Sequence, residues 1–349
     1  MFPQAFAAWR WWNYYEVLGQ RKTILPVNMD ESPICFYQGD GEGTIVLDRK
    51  RHREEAVQRV SRKTRRRHMT LVAFICDRED IQPALPQVLI MNEATCALRT
   101  LQRLRAAVSP NILIVRQKSA WNNEHLCADI IRRLGESIAP FKHLYQPVLL
   151  MDAAKMHTSK RVVLACRAMN IWPLLIPAGL TWLLQPLDTH GFSPFKNVLT
   201  KLYQAARVSS TNQELDIQEF IECVSEAVDS VLCGRGWKRA FERCGFGLRQ
   251  AQVATRTLAN LGVEDCEVLA TMPSWEEIHA CFPRRTRAAS LLFWRVLEIV
   301  SKPDEEFSMR TPVHSSRPSN SRAETFDHDM GRTRSQTRAL LAGKSARGL

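Results

Sequence analysis

Two short apolar runs in this 349-residue chain each end on an aspartate: ILPVNM (24–29) runs into Asp30, and PVLLM (147–151) runs into Asp152. Runs of five or six apolar residues bounded by turn signals are too short for buried helices and suit strands covered on both faces. Such strands belong in α/β sheets, where ligand sites lie at the C-terminal strand ends. MTLVAFIC (69–76), QVLIM (87–91), ILIV (112–115) and 171–176 are further strand candidates. Ile34 to Tyr37 either continues the first strand or pairs with it after a break at Glu31–Pro33. Helical spacing puts Leu126, Ile130, Ile131 and Leu134 on one face of 123–139, and Val162, Val163, Cys166 and Met169 on one face of 159–169. Another helix is expected from about Phe192 to Ala206. The order is that of an α/β fold with a mixed sheet.

The flanks read differently. Residues 1–22 form a short amphipathic lead-in with an aromatic cluster, Trp9, Trp11, Trp12, Tyr14 and Tyr15. Arg10 is the nearby basic residue, so a packed helix face suits the cluster better than a base-stacking platform, which interleaves aromatics with cations. The core spans 23–206, and a helical extension follows over 207–301, with periodicity in Glu214–Leu232, Trp237–Cys244 and Trp275–Val300. The tail, 302–349, is rich in Ser, Arg, Thr, Asp and Pro. It has too little apolar surface to offset its ordering entropy and is expected to be disordered and basic.

The formal net charge is +12, which favours an acidic partner, most commonly nucleic acid. The charge concentrates in a basic insertion, 48–68, with ten Lys or Arg against two Glu in 49–68. Arg49, Lys50, Arg51, Arg53, Arg62, Lys63, Arg65, Arg66 and Arg67 suit a phosphate-tracking patch and a nuclear import signal, and equally a solvated, partly helical insertion. None of the ten cysteines forms a C-x-x-C pair, so a zinc ribbon has no support. Neither a membrane span nor a secretion signal is read, and no organic cofactor is expected.

Asp188 lies 36 positions beyond Asp152, after one helix, one strand and a loop, far enough to return to the same sheet edge. Three converging carboxylates are hard oxygen donors that suit divalent cations. The plainer reading makes Asp30 and Asp152 turn caps and Asp188 a helix N-cap. The wording around the acids separates these readings. NMDESPI (28–34), VLLMDAAKMH (148–157) and LTWLLQPLDTHGFSPFK (180–196) resemble the DDE-superfamily endonucleases of the pogo, Tigger and jerky type, within the mariner-like transposases. Weaker similarities extend over about 24–247, including Trp121 before a helix and WKRAFERCG (237–245).

The resemblance implies a ribonuclease-H-like mixed sheet with flanking helices, and a metal triad of Asp30, Asp152 and Asp188 binding Mg2+, with Mn2+ as a substitute. It implies hydrolysis of DNA phosphodiesters and attack of the freed 3′-hydroxyl on target DNA. Glu31 matches a residue beside the first acid. His157 matches one that either touches DNA phosphate or caps the next helix. Gln185 matches a residue fixing the loop that aims Asp188, and Lys196 one that neutralises phosphate or lies in solvent. DNA is the implied partner and the nucleus the implied compartment, while a homodimer is left open. Three departures stand out. Ala153 replaces the usual Asn, D-T-H-G is one residue longer than D-x-G, and 29 residues before Asp30 leave no room for helix-turn-helix modules. The alternative is a domesticated or decayed descendant that binds DNA or chromatin without cutting.

Overall fold

The computed structural model describes residues 3–19, 22–38, 65–209, 215–247, 268, 270–282 and 287–302, the side chains of 36–38 and 65–68 excepted. Its centre is a six-stranded mixed sheet in the order β4-β3-β2-β1-β5-β6. The strands are β1 (Thr23–Gln38), β2 (Arg65–Cys76), β3 (Gln87–Asn92), β4 (Ile112–Gln117), β5 (Tyr145–Asp152) and β6 (Trp172–Ile176). β1, β2 and β3 form an antiparallel meander. β5 and β6 run parallel to β1, and β4 runs parallel to β3. This is the mixed sheet with flanking helices expected from the sequence, with the ribonuclease-H-like meander followed by parallel strands.

β1 is one 16-residue strand, with no break at Glu31–Pro33. Residues 23–28 pair with β5 and residues 27–38 with β2. Pro26 and Pro33 therefore each sit where the strand has a partner on one side, and such edge-like positions tolerate a missing N–H. Asp30 is consequently mid-strand rather than at a strand end. β2 begins at Arg65, inside the segment read as an insertion. Arg65, Arg66 and Arg67 belong to its backbone. Arg49, Lys50, Arg51, Arg53, Arg62 and Lys63 lie outside the described residues, as does the tail beyond Lys302.

The covering helices are α1 (Pro3–Leu18), α2 (Leu98–Ala106), α3 (Glu124–Ser137), α4 (Lys160–Ala168), the short α5 (Thr181–Leu184) and α6 (Phe192–Ser209). The helical extension contributes α7 (Ile217–Ala227), α8 (Lys238–Arg243), α9 (Trp275–Ala280) and α10 (Arg287–Val300). The periodicity in 275–300 thus belongs to two helices. α2 was not anticipated. α7 opens on a capping box, with the Asp216 side chain accepting from the Glu219 N–H and the Glu219 side chain returning to Asp216 N. No described helix is long and apolar enough to cross a membrane.

α1 is a core element, not a lead-in. Ala5, Ala7, Ala8, Trp9, Trp11, Trp12 and Tyr15 are all buried, so it lacks a wide polar face. Trp9 Nε1 donates to Cys244 O at 2.9 Å, and Tyr15 OH donates to Pro173 O of β6 at 3.1 Å. Trp11 meets Phe293 of α10 edge-on at 6.1 Å between ring centres, and Trp12 meets Phe246 at 5.6 Å. Arg10 forks onto both Glu277 carboxylate oxygens, at 2.8 and 2.9 Å. The aromatic cluster is therefore a packed face that joins the sheet to the helical extension. Trp11→Ala is expected to lower unfolding free energy by about 3–5 kcal/mol, because it deletes a fully buried indole at this junction. Denaturant unfolding of the variant and wild type would measure the loss, and a change below about 1 kcal/mol would contradict the placement of α1.

Candidate functional site

The β1–β5 ladder ends at the pair Asn28–Leu150. Two residues further on, Asp30 and Asp152 stand level at the point where the strands part. Asp152 closes β5 and precedes the turn into α4, while Asp188 arrives from beyond β6. Its loop is short helix α5, then Gln185–Pro186, then a π-helical turn, Leu187–Gly191, that runs directly into α6. Asp188, Thr189, His190 and Gly191 all lie in this wide turn. Asp188 is thus neither an isolated loop residue nor a helix N-cap.

Asp30 is 9% exposed, and its Oδ1 accepts from the Glu31 N–H at 2.7 Å. Burial, then the neighbouring Asp188 carboxylate, push its carboxyl up to about 8; the Glu31 N–H pulls the other way and Asp152 adds to the rise. The Asp30 and Asp188 carboxyls also lie within hydrogen-bonding reach of each other. A neighbouring carboxylate opposes ionisation of a buried acid, and burial strengthens the effect at Asp30. Asp188 itself is exposed.

Asp152 has a different environment. Its Oδ1 meets His157 Nδ1 at 2.5 Å and accepts from Ala154 N at 3.3 Å. Burial works against ionisation, but the His157 ring and the Ala154 N–H outweigh it and hold Asp152 below the usual carboxylate range. His157 is 2% exposed. Burial favours its neutral form, yet Asp152 and Glu31 together raise it to about 9. Its Nε2 lies 3.6 Å from Glu31 Oε1, an ion-pair distance longer than a hydrogen bond. Glu31 in turn accepts from Asn122 Nδ2 at 2.8 Å. His157 is therefore neither a phosphate contact on the surface nor the cap of α4, which is Ser159. Its ring lies between two carboxylates that favour the protonated form, and its Nδ1 contact orients Asp152.

The remaining residues divide. Gln185 is fully buried, and among the described residues neither atom of its side-chain amide has a hydrogen-bond partner. Its main-chain carbonyl accepts from Thr189 N at 3.0 Å and Thr189 Oγ1 at 2.8 Å. The side chain that anchors this loop is instead Asn28, whose Oδ1 accepts from Leu187 N at 2.8 Å. Lys196 is exposed on α6, its Nζ 5.9 Å from the centre of the Phe192 ring. His190 is half-buried, meets Thr189 Oγ1 at 2.7 Å, and is pushed down by burial and by Arg243. Ala153 is buried at 8% exposure. Asn28 and Asn122 were not singled out from the sequence as site residues, although Asn28 lies inside the NMDESPI segment.

Carboxylate oxygens are the donors that Mg2+ and Mn2+ prefer, and the crowding that raises Asp30 is the kind a divalent cation relieves. Asp30 and Asp188 come together, and the charge of Asp152 reaches Asp30 while its Oδ1 is turned to His157. Among the described residues, no group of three or more His, Cys, Asp or Glu side chains is gathered as a ready metal cage.

Residues 68–234 match the family described as DDE superfamily endonuclease. The match takes in Asp152 and Asp188 and begins after β1. Among solved structures, the chain is similar to the Mos1 transposase paired-end complex with left transposon end (15% identity, TM-score 0.33, covering 70% of this chain and 63% of that one). The Mos1 strand transfer complex aligns at 11% identity and TM-score 0.37, over 74% and 62% of the two chains. The mariner Mos1 paired end complex with Mg aligns at 13% and 0.34, over 70% and 63%. The chain spans less than two thirds of the length of each. No curated protein matches it.

These ionisations give stability a slope with pH. Asp30 moves from an ordinary 3.8 up to about 8, so the folded chain holds a proton the unfolded chain gives up, and stability falls as pH rises across that interval. The His157 contribution is full below 6.5 and is lost as pH rises through about 9. Melting temperature in EDTA is therefore expected to fall between pH 6.5 and 9. Asp30→Asn should flatten that fall, and parallel pH profiles for the variant and wild type would count against the assignment.

Proposed function

We propose that the chain carries the cutting and joining core of a DDE transposase of the pogo, Tigger and jerky type: a metal-dependent DNA endonuclease and strand transferase. The observation that carries this reading is that Asp30 on β1 and Asp188 in the π turn lie within hydrogen-bonding reach of each other, with Asp152 at the end of the neighbouring strand β5. There Asp30 and Asp188 crowd each other strongly enough to raise one of them to about 8. The match of residues 68–234 to the DDE superfamily endonuclease family supports it.

In this reading the three aspartates hold Mg2+, with Mn2+ as a substitute. Divalent cations so held activate an attacking oxygen and stabilise a leaving oxygen during phosphodiester cleavage and strand transfer. The protein's own part is positional. Asp30 enters from a rigid strand paired with β2, and its oxygen is oriented by the Glu31 N–H. Asp152 is kept ionised and oriented by His157, which Glu31 and Asn122 back up. DNA is the partner, drawn by the net charge of +12, and the basic run from Arg49 to Arg67 suits phosphate contact and nuclear import.

A second reading, DNA or chromatin binding without cleavage, is favoured by the absence of a gathered three-ligand cage among the described residues. Nicking of supercoiled DNA separates the two. The full chain with Mg2+ or Mn2+ is expected to nick, and Asp152→Ala to reduce the rate at least about a thousandfold, because loss of a metal ligand removes several kcal/mol of transition-state stabilisation. Equal behaviour of wild type and variant would remove the catalytic reading. Calorimetry with no Mn2+ binding, together with intact DNA binding, would select the second.

A further inference from the structure

One fully buried side chain touches the backbones on which all three acids are carried. Asn28 lies two residues before Asp30. Its Nδ2 donates to Leu150 O, two residues before Asp152, at 3.1 Å, and to Met29 O at 3.3 Å. Its Oδ1 accepts from Leu187 N, immediately before Asp188, at 2.8 Å. Leu150 and Leu187 are 122 and 159 positions away in sequence. The orientation of the amide follows from its partners, since a peptide N–H can only donate and a carbonyl can only accept.

We infer that Asn28 is a positioning residue for the candidate site, a polar rivet that sets the depth of the Asp188 turn against the β1–β5 ladder. This rests on the proposed function, and it names how that site is assembled. The ladder by itself fixes Asp30 against Asp152, since its last pair is Asn28–Leu150. It says nothing about Asp188, which returns through the loop after β6. Among the described residues, the Asn28 amide makes a side-chain hydrogen bond from the ladder to that turn. Gln185, the amide closest to the turn in sequence, makes no such link. The chemistry singles out asparagine at this position. Leucine would leave Leu187 N and Leu150 O buried without partners, serine falls short of both, and an ionised aspartate would face the Leu150 carbonyl with like charge.

A merely structural buried asparagine would lower global stability and nothing else. Leu25→Ala provides the control, because Leu25 is fully buried in the same strand and pairs with Pro147, away from the acids. Amide hydrogen exchange over 181–191 and Mn2+ affinity would be measured for the full-length wild type, Asn28→Ala and Leu25→Ala. Asn28→Ser serves as a milder variant should Asn28→Ala fail to fold. In the Asn28 variants, exchange at Leu187 is expected to accelerate about tenfold or more beyond the control at matched distance below the melting temperature, as for a buried N–H that has lost its acceptor. Mn2+ affinity and nicking rate should fall with it, while the KM for DNA stays unchanged. Exchange and Mn2+ affinity equal to those of Leu25→Ala would overturn the inference. Should wild type bind no Mn2+, the functional reading fails, and the exchange comparison still decides the role of Asn28.

Discussion

Along most of its length β1 has a partner on one side at a time, with β5 beside its first six residues and β2 beside its last twelve. The two pairings overlap at Val27 and Asn28, and around this overlap the rest of the site is arranged. Past it, β1 and β5 separate, and the gap gives two acids a common level and a third acid room to enter. A sheet paired on both sides throughout would have left no such opening. The two prolines of β1 fall where this arrangement can absorb them.

The site sorts its acids by surroundings. Asp30 is dry and crowded by like charge, so it keeps its proton to about 8. Asp152 is more open, with 32% of its side chain exposed, and faces the His157 ring, which holds it below the usual carboxylate range. Burial acts on both in the same direction, and the neighbour decides the outcome: a carboxylate in one case, a histidine held by a second carboxylate in the other. The His157–Glu31–Asn122 chain ties the turn after β5 to the segment before α3, across the open edge of β1.

Much of this was legible in the sequence. The runs at 69–76, 87–91 and 147–151 are apolar because the sheet is covered on both faces, and such runs read clearly. The candidate acids stood out because the words around them are specific, and the structure brings Asp30 and Asp188 together. What escaped depended on distant partners. Pro33 looked like a break because one-sided pairing is a tertiary fact. The aromatic N-terminal segment looked peripheral because its burial is supplied by residues more than 150 positions away. His157 seemed a choice between cap and phosphate contact, since its two carboxylate partners come from separate elements. Asn28 carried no local sign of its role, for its partners lie on another strand and in a distant turn.

The burial of α1 bears on how the chain is made. Trp9 waits for Cys244, Arg10 for Glu277 and Trp11 for Phe293. A nascent chain emerging at about 5–20 residues per second therefore displays a nearly all-apolar helix long before its covering helices exist. Contacts of such long sequence separation close slowly, because loop-closure entropy must be overcome first. The aromatic face of α1 is therefore covered only once the partners in the helical extension have been made.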